Sequence, residues 1–296
     1  RTYTIALEGL DYWGRSVAYC LSGRRLVSGS NDGTVKLWNL ATGECICTLK
    51  GHHYGVRVVA HHPSKHQLAT GSDDSTVKLW DLETGKCIRT LKAHKYGGMS
   101  VAYHPSGQYL ATSGDDNSVR LWDLQSSECS SVITGHDGWV RSIAYHPHGQ
   151  QLATASDDRS VKLWNIESGE CIATLLGHNN RVRAVAYSPD GQQLATGSSD
   201  RTAKLWTLKS GRCIQTLRGH EDWVRAVAYS PDGQQLATAS YDKTVKLWDL
   251  KLAKCTRTLE GHESGVRSVV YRSDGQQLAT GSYDNTIVDP KNWTGS

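Results

Sequence analysis

The sequence contains no phenylalanine, a single methionine and only six prolines in 296 residues. It has no uninterrupted apolar run near the ~18 residues of a membrane-spanning helix, so we expect no membrane interaction. No CxxC pair, glycine-rich phosphate loop or nucleophile elbow occurs. The sequence therefore predicts no cofactor, no metal site and no catalytic residue.

The charge balance also lacks a strong bias. The formal net charge is only +4, whereas a nucleic-acid interface needs clustered positive charge. We therefore expect a protein or peptide partner rather than nucleic acid.

Cysteine is present but in a pattern that does not favour disulfides. Six of the eight cysteines recur at intervals of 42 residues, so each occupies an equivalent place in a repeat. Such places lie too far apart for the ~4.4–6.8 Å Cα separation of a disulfide. We predict reduced thiols that fill small apolar slots, and therefore a reducing compartment, the cytoplasm. The six are Cys45, Cys87, Cys129, Cys171, Cys213 and Cys255.

The dominant feature of the sequence is an internal repeat of 42 residues. A Gly-His pair, or Ala-His in one unit, marks the start of each repeat, and Gly9-Leu10 lies one step before the first such pair. The pairs are Gly51-His52, Ala93-His94, Gly135-His136, Gly177-His178, Gly219-His220 and Gly261-His262.

Each unit predicts four short strands. In the sixth unit, Val224–Tyr229 alternates in polarity as a strand does, and Ser230–Gly233 is a tight turn. The segments Gln235–Ser240, Thr244–Asp249 and Cys255–Leu259 follow as further strands. Four antiparallel strands per unit are typical of one blade of a β-propeller.

The residue pairs at the two ends of each unit resemble those of the WD-repeat family, whose units begin with Gly-His and end with Trp-Asp. The Trp-Asp pair is literal at Trp80-Asp81, Trp122-Asp123 and Trp248-Asp249. It becomes Trp38-Asn39, Trp164-Asn165 and Trp206-Thr207 in three other units. Because the fixed spacing covers the whole chain, the resemblance implies an all-β, seven-bladed β-propeller.

The domain organisation expected from this resemblance is a single propeller over residues 1–296. Its units are 9–50, 51–92, 93–134, 135–176, 177–218, 219–260 and 261–296. The last unit stops after its third strand, and residues 1–8 align with the fourth strand of the other units. We therefore predict that the N-terminal strand completes the seventh blade and closes the ring, which removes an open sheet edge.

Blades of this family carry a hydrogen-bonded tetrad of His, Ser or Thr, Asp and Trp, which satisfies a buried indole N–H and imidazole. Units one and seven depart from it, with Leu10 in place of His and Pro290 in place of Trp, while Trp293 lies three residues late. The repeated His–Asp pairs have this structural explanation, so we do not expect catalysis. The complete tetrads are His52, Thr70, Asp74 and Trp80; His94, Thr112, Asp116 and Trp122; His136, Thr154, Asp158 and Trp164; His178, Thr196, Asp200 and Trp206; and His220, Thr238, Asp242 and Trp248.

The resemblance also implies where a partner binds, because the family uses a few positions per blade on the top face. Arginine occupies one of these positions in six of seven units, and tryptophan or tyrosine occupies several others. Trp, Tyr and Arg are the residues enriched at binding hot spots. The candidates are Trp13, Arg15, Arg57, Trp139, Arg141, Arg181, Arg183, Trp223, Arg225, Tyr241, Arg267 and Tyr283.

A structural alternative for the arginines is pairing with acids of the same blade, as Arg57 would with Asp73 and Arg141 with Asp157. Blades five to seven have Ser199, Tyr241 and Tyr283 instead of those acids. We therefore predict that the arginines of those blades, Arg183, Arg225 and Arg267, are free to bind an acidic or phosphorylated segment.

Three functions remain open at this point. The leading hypothesis is an interaction scaffold or sensor module, monomeric as an isolated domain. The second is an engineered or consensus-like propeller without a natural partner, since units five and six agree at 28 of 42 positions and phenylalanine is absent. A propeller hydrolase is third, because arginine and tryptophan rather than acids or a metal site occupy the channel-mouth positions.

Overall fold

The computed structural model describes residues 5–7, 14–95 and 97–289, and its regular structure is entirely β. Within these residues, no helix is long and apolar enough to cross a membrane. The strands are β1 (Ile5–Leu7), β2 (Gly14–Tyr19), β3 (Arg25–Ser30), β4 (Val35–Asn39), β5 (Cys45–Leu49), β6 (Val56–His61), β7 (Gln67–Ser72), β8 (Thr76–Asp81), β9 (Cys87–Lys92), β10 (Gly98–Tyr103), β11 (Tyr109–Gly114), β12 (Val119–Asp123), β13 (Cys129–Ile133), β14 (Val140–Tyr145), β15 (Gln151–Ser156), β16 (Val161–Asn165), β17 (Cys171–Leu175), β18 (Val182–Tyr187), β19 (Gln193–Ser198), β20 (Ala203–Thr207), β21 (Arg212–Leu217), β22 (Val224–Tyr229), β23 (Gln235–Ser240), β24 (Val245–Asp249), β25 (Lys254–Leu259), β26 (Val266–Tyr271), β27 (Leu278–Ser282) and β28 (Ile287–Asp289).

The strands form six complete four-stranded antiparallel sheets, each from four consecutive strands. Blade one is β2–β5, and blades two to six follow in chain order up to β22–β25. In each sheet, the strands are arranged in sequence order from the inside outwards. The prediction of an all-β propeller with four antiparallel strands per blade is confirmed.

The seventh blade is partial. The strands β26 and β27 pair as in the other blades, but β28 and β1 have only three residues each. Ile5 lies opposite Asp289, and Leu7 lies opposite Ile287, in an antiparallel register. The chain positions Leu10, Trp13, Pro290 and Trp293 lie outside the described residues.

The turn between the first two strands of a blade follows from its sequence. In blade six, the amide of Gln234 donates to Oδ1 of Asp232 (3.0 Å), which fixes the bend. Gly233 then takes φ = +70°, a left-handed conformation that residues with a Cβ adopt less easily. A glycine with positive φ stands at the same place in blades one, three, four, five and seven, whereas blade two has Lys65 there.

The hydrophobic core lies between neighbouring blades rather than in one central mass. Between blades five and six, for example, Leu205 packs with Val224, Leu236 and Trp248, all buried. Each such leucine contributes about 1.5–3 kcal/mol through burial. Stability therefore depends on each blade having a neighbour on both sides.

Hydrogen bonds between some neighbouring inner strands add to this packing. The Ser16 hydroxyl accepts from the amide of Val59 (3.2 Å), and the Ser142 hydroxyl accepts from the amide of Val185 (3.2 Å). Ser268 holds the same position in blade seven, but its buried hydroxyl has no partner among the described residues. The junction of blades seven and one therefore lacks a contact that other junctions have.

The prediction that the repeat cysteines fill apolar slots is wrong. The six lie exposed on the outermost strand of blades one to six, where no further strand covers them. Their thiols face their own strand instead, as Cys213 does with Sγ 3.4 Å from the carbonyl oxygen of Gln215. All eight cysteines are unpaired.

Candidate partner-binding site at the channel mouth

The predicted tetrad residues lie together in blades two to six. In blade five, Nδ1 of His178 is 2.8 Å from Oδ2 of Asp200, which only accepts, so Nδ1 is the donor. In the neutral ring, Nε2 then accepts from the Thr196 hydroxyl (2.7 Å), which in turn accepts from Nε1 of Trp206 (2.9 Å). The four other sets have the same contacts.

Blades one and seven, whose tetrads are incomplete in the sequence, form the hydrogen bonds of the tetrad residues that they retain. In blade one, Nε1 of Trp38 donates to the Ser28 hydroxyl (2.8 Å). In blade seven, His262 lies 2.8 Å from both Asp284 and Thr280. The His–Asp pairs are thus buried and used in internal hydrogen bonds, which gives them a structural role. No group of three or more potential metal ligands occurs in the part of the chain that the structure describes.

The arginines at the inner end of each blade are positioned by a β-bulge. In blade five, the register between β18 and β19 shifts between Val182 and Ala184, so Arg183 is left outside the ladder. A bulge re-aims the side chain of its extra residue. The same shift occurs in every blade, at Arg15, Arg57, Met99, Arg141, Arg225 and Arg267.

The six bulge arginines converge on one central cavity of about 190 Å³, which we call the channel mouth. Inner strands of all seven blades line it, with Ser100 contributed by blade three. We call the side of the ring where it opens the top face. The sequence predicted the ring of arginines but not the bulge that orients it.

On one side of the channel mouth, carboxylates pair with the arginines and offset part of their charge. Asp73 pairs with Arg57 of its own blade and with Arg15 of blade one, the latter at 2.9 Å. Asp157 accepts two hydrogen bonds from Arg141, at 2.9 and 2.6 Å. The two same-blade pairs considered as an alternative are therefore present.

The prediction that Arg183 is free is wrong. Its Nε donates to the Ser199 hydroxyl (2.7 Å), and its guanidinium lies 3.7 Å from Asp157 of blade four and 4.9 Å from the ring centre of Trp223. Burial, followed by repulsion from Arg141, lowers the pKa of Arg183 to about 10, so it remains protonated at neutral pH. A neighbouring blade supplies the partner, which the repeat sequence alone does not reveal.

The other side of the channel mouth is aromatic. Trp223 stacks on Tyr241, with ring centres 5.5 Å apart and planes 25° apart. Tyr241 meets Tyr283 edge-on at 5.5 Å, and their hydroxyls are 2.8 Å apart. These three side chains, which we call the aromatic ladder, come from blades six and seven.

Arg225 and Arg267 also lie against the aromatic ladder, as Arg183 does. Arg225 lies 5.1 Å from the ring centre of Tyr241, and Arg267 donates to the Tyr283 hydroxyl (2.7 Å). Neither forms an ion pair with a carboxylate in the described part of the chain. Burial, and then repulsion from Arg267, lowers the pKa of Arg225 to about 9.

Exposure distinguishes the rim of the site from its interior. Trp139 is 43% exposed and Trp223 is 37% exposed. Arg181 has a half-exposed side chain, 3.9 Å from Asp157. Trp139 lies under the guanidinium of Arg141, at 4.5 Å. The rim therefore presents aromatic and cationic groups to solvent.

Asp115 is a further residue of the site and is not among the contact residues predicted from the sequence. Burial raises the pKa of its carboxyl to about 6, although Arg57 and Arg141 act in the opposite direction. Its Oδ1 is buried without a hydrogen-bond partner among the described residues. The signal was present in the sequence, because Met99 replaces the arginine that would pair with Asp115.

Comparison with known families agrees with this architecture. The family model for the Nucleolar protein 10-like, N-terminal domain matches residues 10–180, more than half of the chain. The model for the IFT122 first beta-propeller matches residues 139–249, and that for the WD domain, G-beta repeat, matches residues 253–288. The chain belongs to the WD-repeat β-propeller family. No curated protein matches this WD-repeat propeller.

Membership has a general functional consequence. WD-repeat propellers are typically non-catalytic scaffolds that mediate protein–protein interactions. Fold alone does not assign a partner or a face, so these must come from the exposed residues of this WD-repeat propeller.

Proposed function

We propose that this WD-repeat propeller binds an acidic or phosphorylated segment of a partner protein on its top face, and that it is not an enzyme. The observation that carries the proposal is the aromatic ladder, with Trp223 at its exposed end and Arg183 and Arg225 against its rings.

The composition of the rim supports a protein partner. Trp223 and Trp139 are large, exposed apolar groups held in place by neighbouring rings or guanidinium groups. A rigid aromatic side chain loses little conformational entropy on binding, which is why Trp, Tyr and Arg dominate binding hot spots. Arg181 is a further candidate on the rim, and it adds positive charge beside Trp139 and Trp223.

The preference for an acidic segment follows from the interior of the site. The channel mouth has six arginines, whereas Asp73, Asp115 and Asp157 are the carboxylates at the corresponding positions of blades two to four. Electrostatic complementarity of this kind favours anionic partners and accelerates their association. Trp13 is retained as a candidate of the same class on its sequence position alone.

The proposal includes a closed ring of seven blades, with residues 1–8 as the outer strand of blade seven. The pairing of Ile5–Leu7 with Ile287–Asp289 supports it. Packing supports it as well, because Ala279 of blade seven lies in one buried cluster with Val17, Leu26 and Trp38 of blade one.

We further propose that the isolated domain is a monomer and acts in a reducing compartment, the cytoplasm. The eight unpaired thiols support that location, because exposed thiols persist where glutathione and thioredoxin keep them reduced.

The test is binding to an array of synthetic peptides that carry acidic, phosphorylated, neutral or basic sequences. We expect selective retention of acidic or phosphorylated peptides, and a loss of affinity of roughly tenfold or more for Trp223→Ala. Ile214→Ala is the matched control, because Ile214 is an exposed apolar residue on the outer strand of blade five.

If Trp223→Ala and Ile214→Ala change the affinity for peptide equally, the site lies away from the top face. Retention of no peptide class by the folded parent would remove the scaffold hypothesis and favour an engineered propeller without a natural partner.

A further inference from the structure

We propose that the channel mouth contains a binding site for a compact phosphate dianion, held between the guanidinium groups of Arg225 and Arg267. The ligand is either a free inorganic phosphate or pyrophosphate, or the phosphoryl group of a phosphorylated segment. This inference rests on the proposed function and deepens it, since it assigns the anion-binding groups inside the ring to Arg225 and Arg267.

The first observation is the uneven distribution of carboxylates around the channel mouth. Asp73 forms ion pairs with Arg15 and Arg57. Asp157 forms ion pairs with Arg141 and Arg183. The positions equivalent to these acids in blades six and seven are Tyr241 and Tyr283. Carboxylates therefore offset part of the positive charge on the side of blades one to five, whereas tyrosines hold the corresponding positions in blades six and seven.

The second observation is that Arg225 has no anionic or hydrogen-bonding partner among the residues that the structure describes. It forms no hydrogen bond or ion pair with any residue of the described chain, and its Nε is buried. Among the described residues, its guanidinium contacts the face of the Tyr241 ring in a cation–π contact. A cation–π contact contributes about 0.5–2 kcal/mol and leaves the hydrogen-bond donors of the guanidinium unused.

The neighbours of Arg225 make its situation less favourable still. Arg267 and Arg183 are close enough to repel it, and Arg267 also repels Arg15. Nε of Arg15 is buried without a hydrogen-bond partner in the same described region. An anion in the cavity would reduce this repulsion and accept hydrogen bonds that the described chain leaves unmade.

The size and charge of the site favour phosphate over larger or singly charged ligands. The cavity of about 190 Å³ holds about six water molecules at ~30 Å³ each, and it is smaller than the ~300 Å³ or more of organic ligand pockets. Two guanidinium groups without carboxylates call for two negative charges. Phosphate supplies them together with several acceptor oxygens, which suit the planar fork of arginine.

The experiment is isothermal titration calorimetry at constant ionic strength and pH 7.5, with inorganic phosphate, pyrophosphate and a phosphoserine peptide as ligands. The parent protein is compared with Arg225→Gln, Arg267→Gln and Arg257→Gln. Arg257 is the matched control, because it has the same charge but lies exposed on the outermost strand of blade six, away from the channel mouth.

We expect saturable binding of at least one phosphate ligand by the parent protein. Arg225→Gln and Arg267→Gln should each weaken it about tenfold or more, whereas Arg257→Gln should change it less than about threefold. Binding of inorganic phosphate or pyrophosphate identifies a free anion as the ligand. Binding of the phosphoserine peptide alone identifies a phosphorylated segment, and both results support the site.

Thermal melting provides a second measurement that does not depend on calorimetry. In phosphate-free buffer, Arg225→Gln should melt at or above the temperature of the parent, because it removes a half-buried cation that has no carboxylate partner among the described residues. Added phosphate should raise the melting temperature of the parent but not that of the variant.

Three results would overturn the proposal. They are no saturable binding of any phosphate ligand, equal weakening by all three substitutions, and a clear loss of stability in Arg225→Gln without ligand. The partner proposal fails separately, because its test concerns Trp223 on the rim, which the phosphate site does not require.

Discussion

Tyrosine stands at the end of the inner strand in six of the seven repeats, where its ring packs between blades. The hydroxyls of Tyr103, Tyr187, Tyr229 and Tyr271 are buried and have no hydrogen-bond partner among the described residues. Burial raises the pKa of each of these hydroxyls, so they remain protonated. Because the sequence contains no phenylalanine, tyrosine occupies several positions where the packing uses the aromatic ring but not the hydroxyl.

We predict that Tyr229→Phe stabilises the protein by about 1 kcal/mol, because it removes a buried polar group that is not hydrogen-bonded. Urea denaturation measures the change in the free energy of unfolding. Tyr109→Phe serves as the control, since Tyr109 is exposed, and should have little effect. Destabilisation by Tyr229→Phe would mean that the hydroxyl has a partner after all.

The tetrads give a second prediction for single residues. Thr196→Val keeps the shape of the side chain but removes the acceptor of Trp206 and the donor to His178. We expect a loss of about 2–4 kcal/mol, since two buried groups lose their partner. Ser28→Ala, which leaves only Trp38 without an acceptor, should cost about half as much in the same denaturation assay. Equal costs would contradict a cooperative tetrad.

At the scale of the strand, the bulge in each inner strand connects the repeat to the binding site. It takes Arg225 and its counterparts out of the β-ladder while the flanking valines stay in the core. At the other edge of each blade, the outermost strand faces solvent, which explains the exposure of Cys213 and its counterparts. The same four strands therefore provide an interior, a functional rim and an outer wall.

The short pairing of β1 with β28 gives a prediction for an element. Deletion of residues 1–8 should lower the melting temperature by roughly 5 °C or more, because it removes the pairing of Ile5–Leu7 with Ile287–Asp289 and with it the proposed closure of the ring. Deletion of residues 294–296 is the control for an ordinary terminal truncation. An unchanged melting temperature after the first deletion would rule out closure by the N-terminal strand.

For the whole molecule, the tetrads repeat one electrostatic arrangement around the ring. Burial alone would raise the pKa of the tetrad carboxyls, but hydrogen bonds from histidine and from the Ser or Thr two residues later hold it below its ordinary value. Burial lowers the pKa of His52 and His94 despite their hydrogen bonds to aspartate. The carboxyls are those of Asp74, Asp116, Asp158, Asp200, Asp242 and Asp284.

We predict a loss of stability in acid that occurs in two stages. Both kinds of group have a folded pKa below the unfolded value, so each stabilises the fold above its unfolded pKa and less below it. The histidine contribution should decline below about pH 6.5, and the larger carboxylate contribution below about pH 4. Urea denaturation between pH 7.5 and pH 3 measures this, and Asp242→Asn should reduce the slope in the lower range. A stability that is flat down to pH 3 would contradict the assignment.

The sequence by itself determined the blade and its internal bonds. The 42-residue spacing, the turn at Ser230–Gly233 and the His178 tetrad all depend on residues close together in one repeat, so local pattern was sufficient to predict them. It also predicted which positions carry arginine and aromatic groups at the channel mouth.

Only the tertiary structure decided what those groups contact. Arg183 meets Asp157 of the preceding blade, and Cys213 is exposed because no strand lies beyond its own. Arg225 keeps no carboxylate within the described residues, since Tyr241 faces it. These outcomes depend on how neighbouring blades are placed and on where a bulge turns a side chain, and neither is encoded within a single repeat.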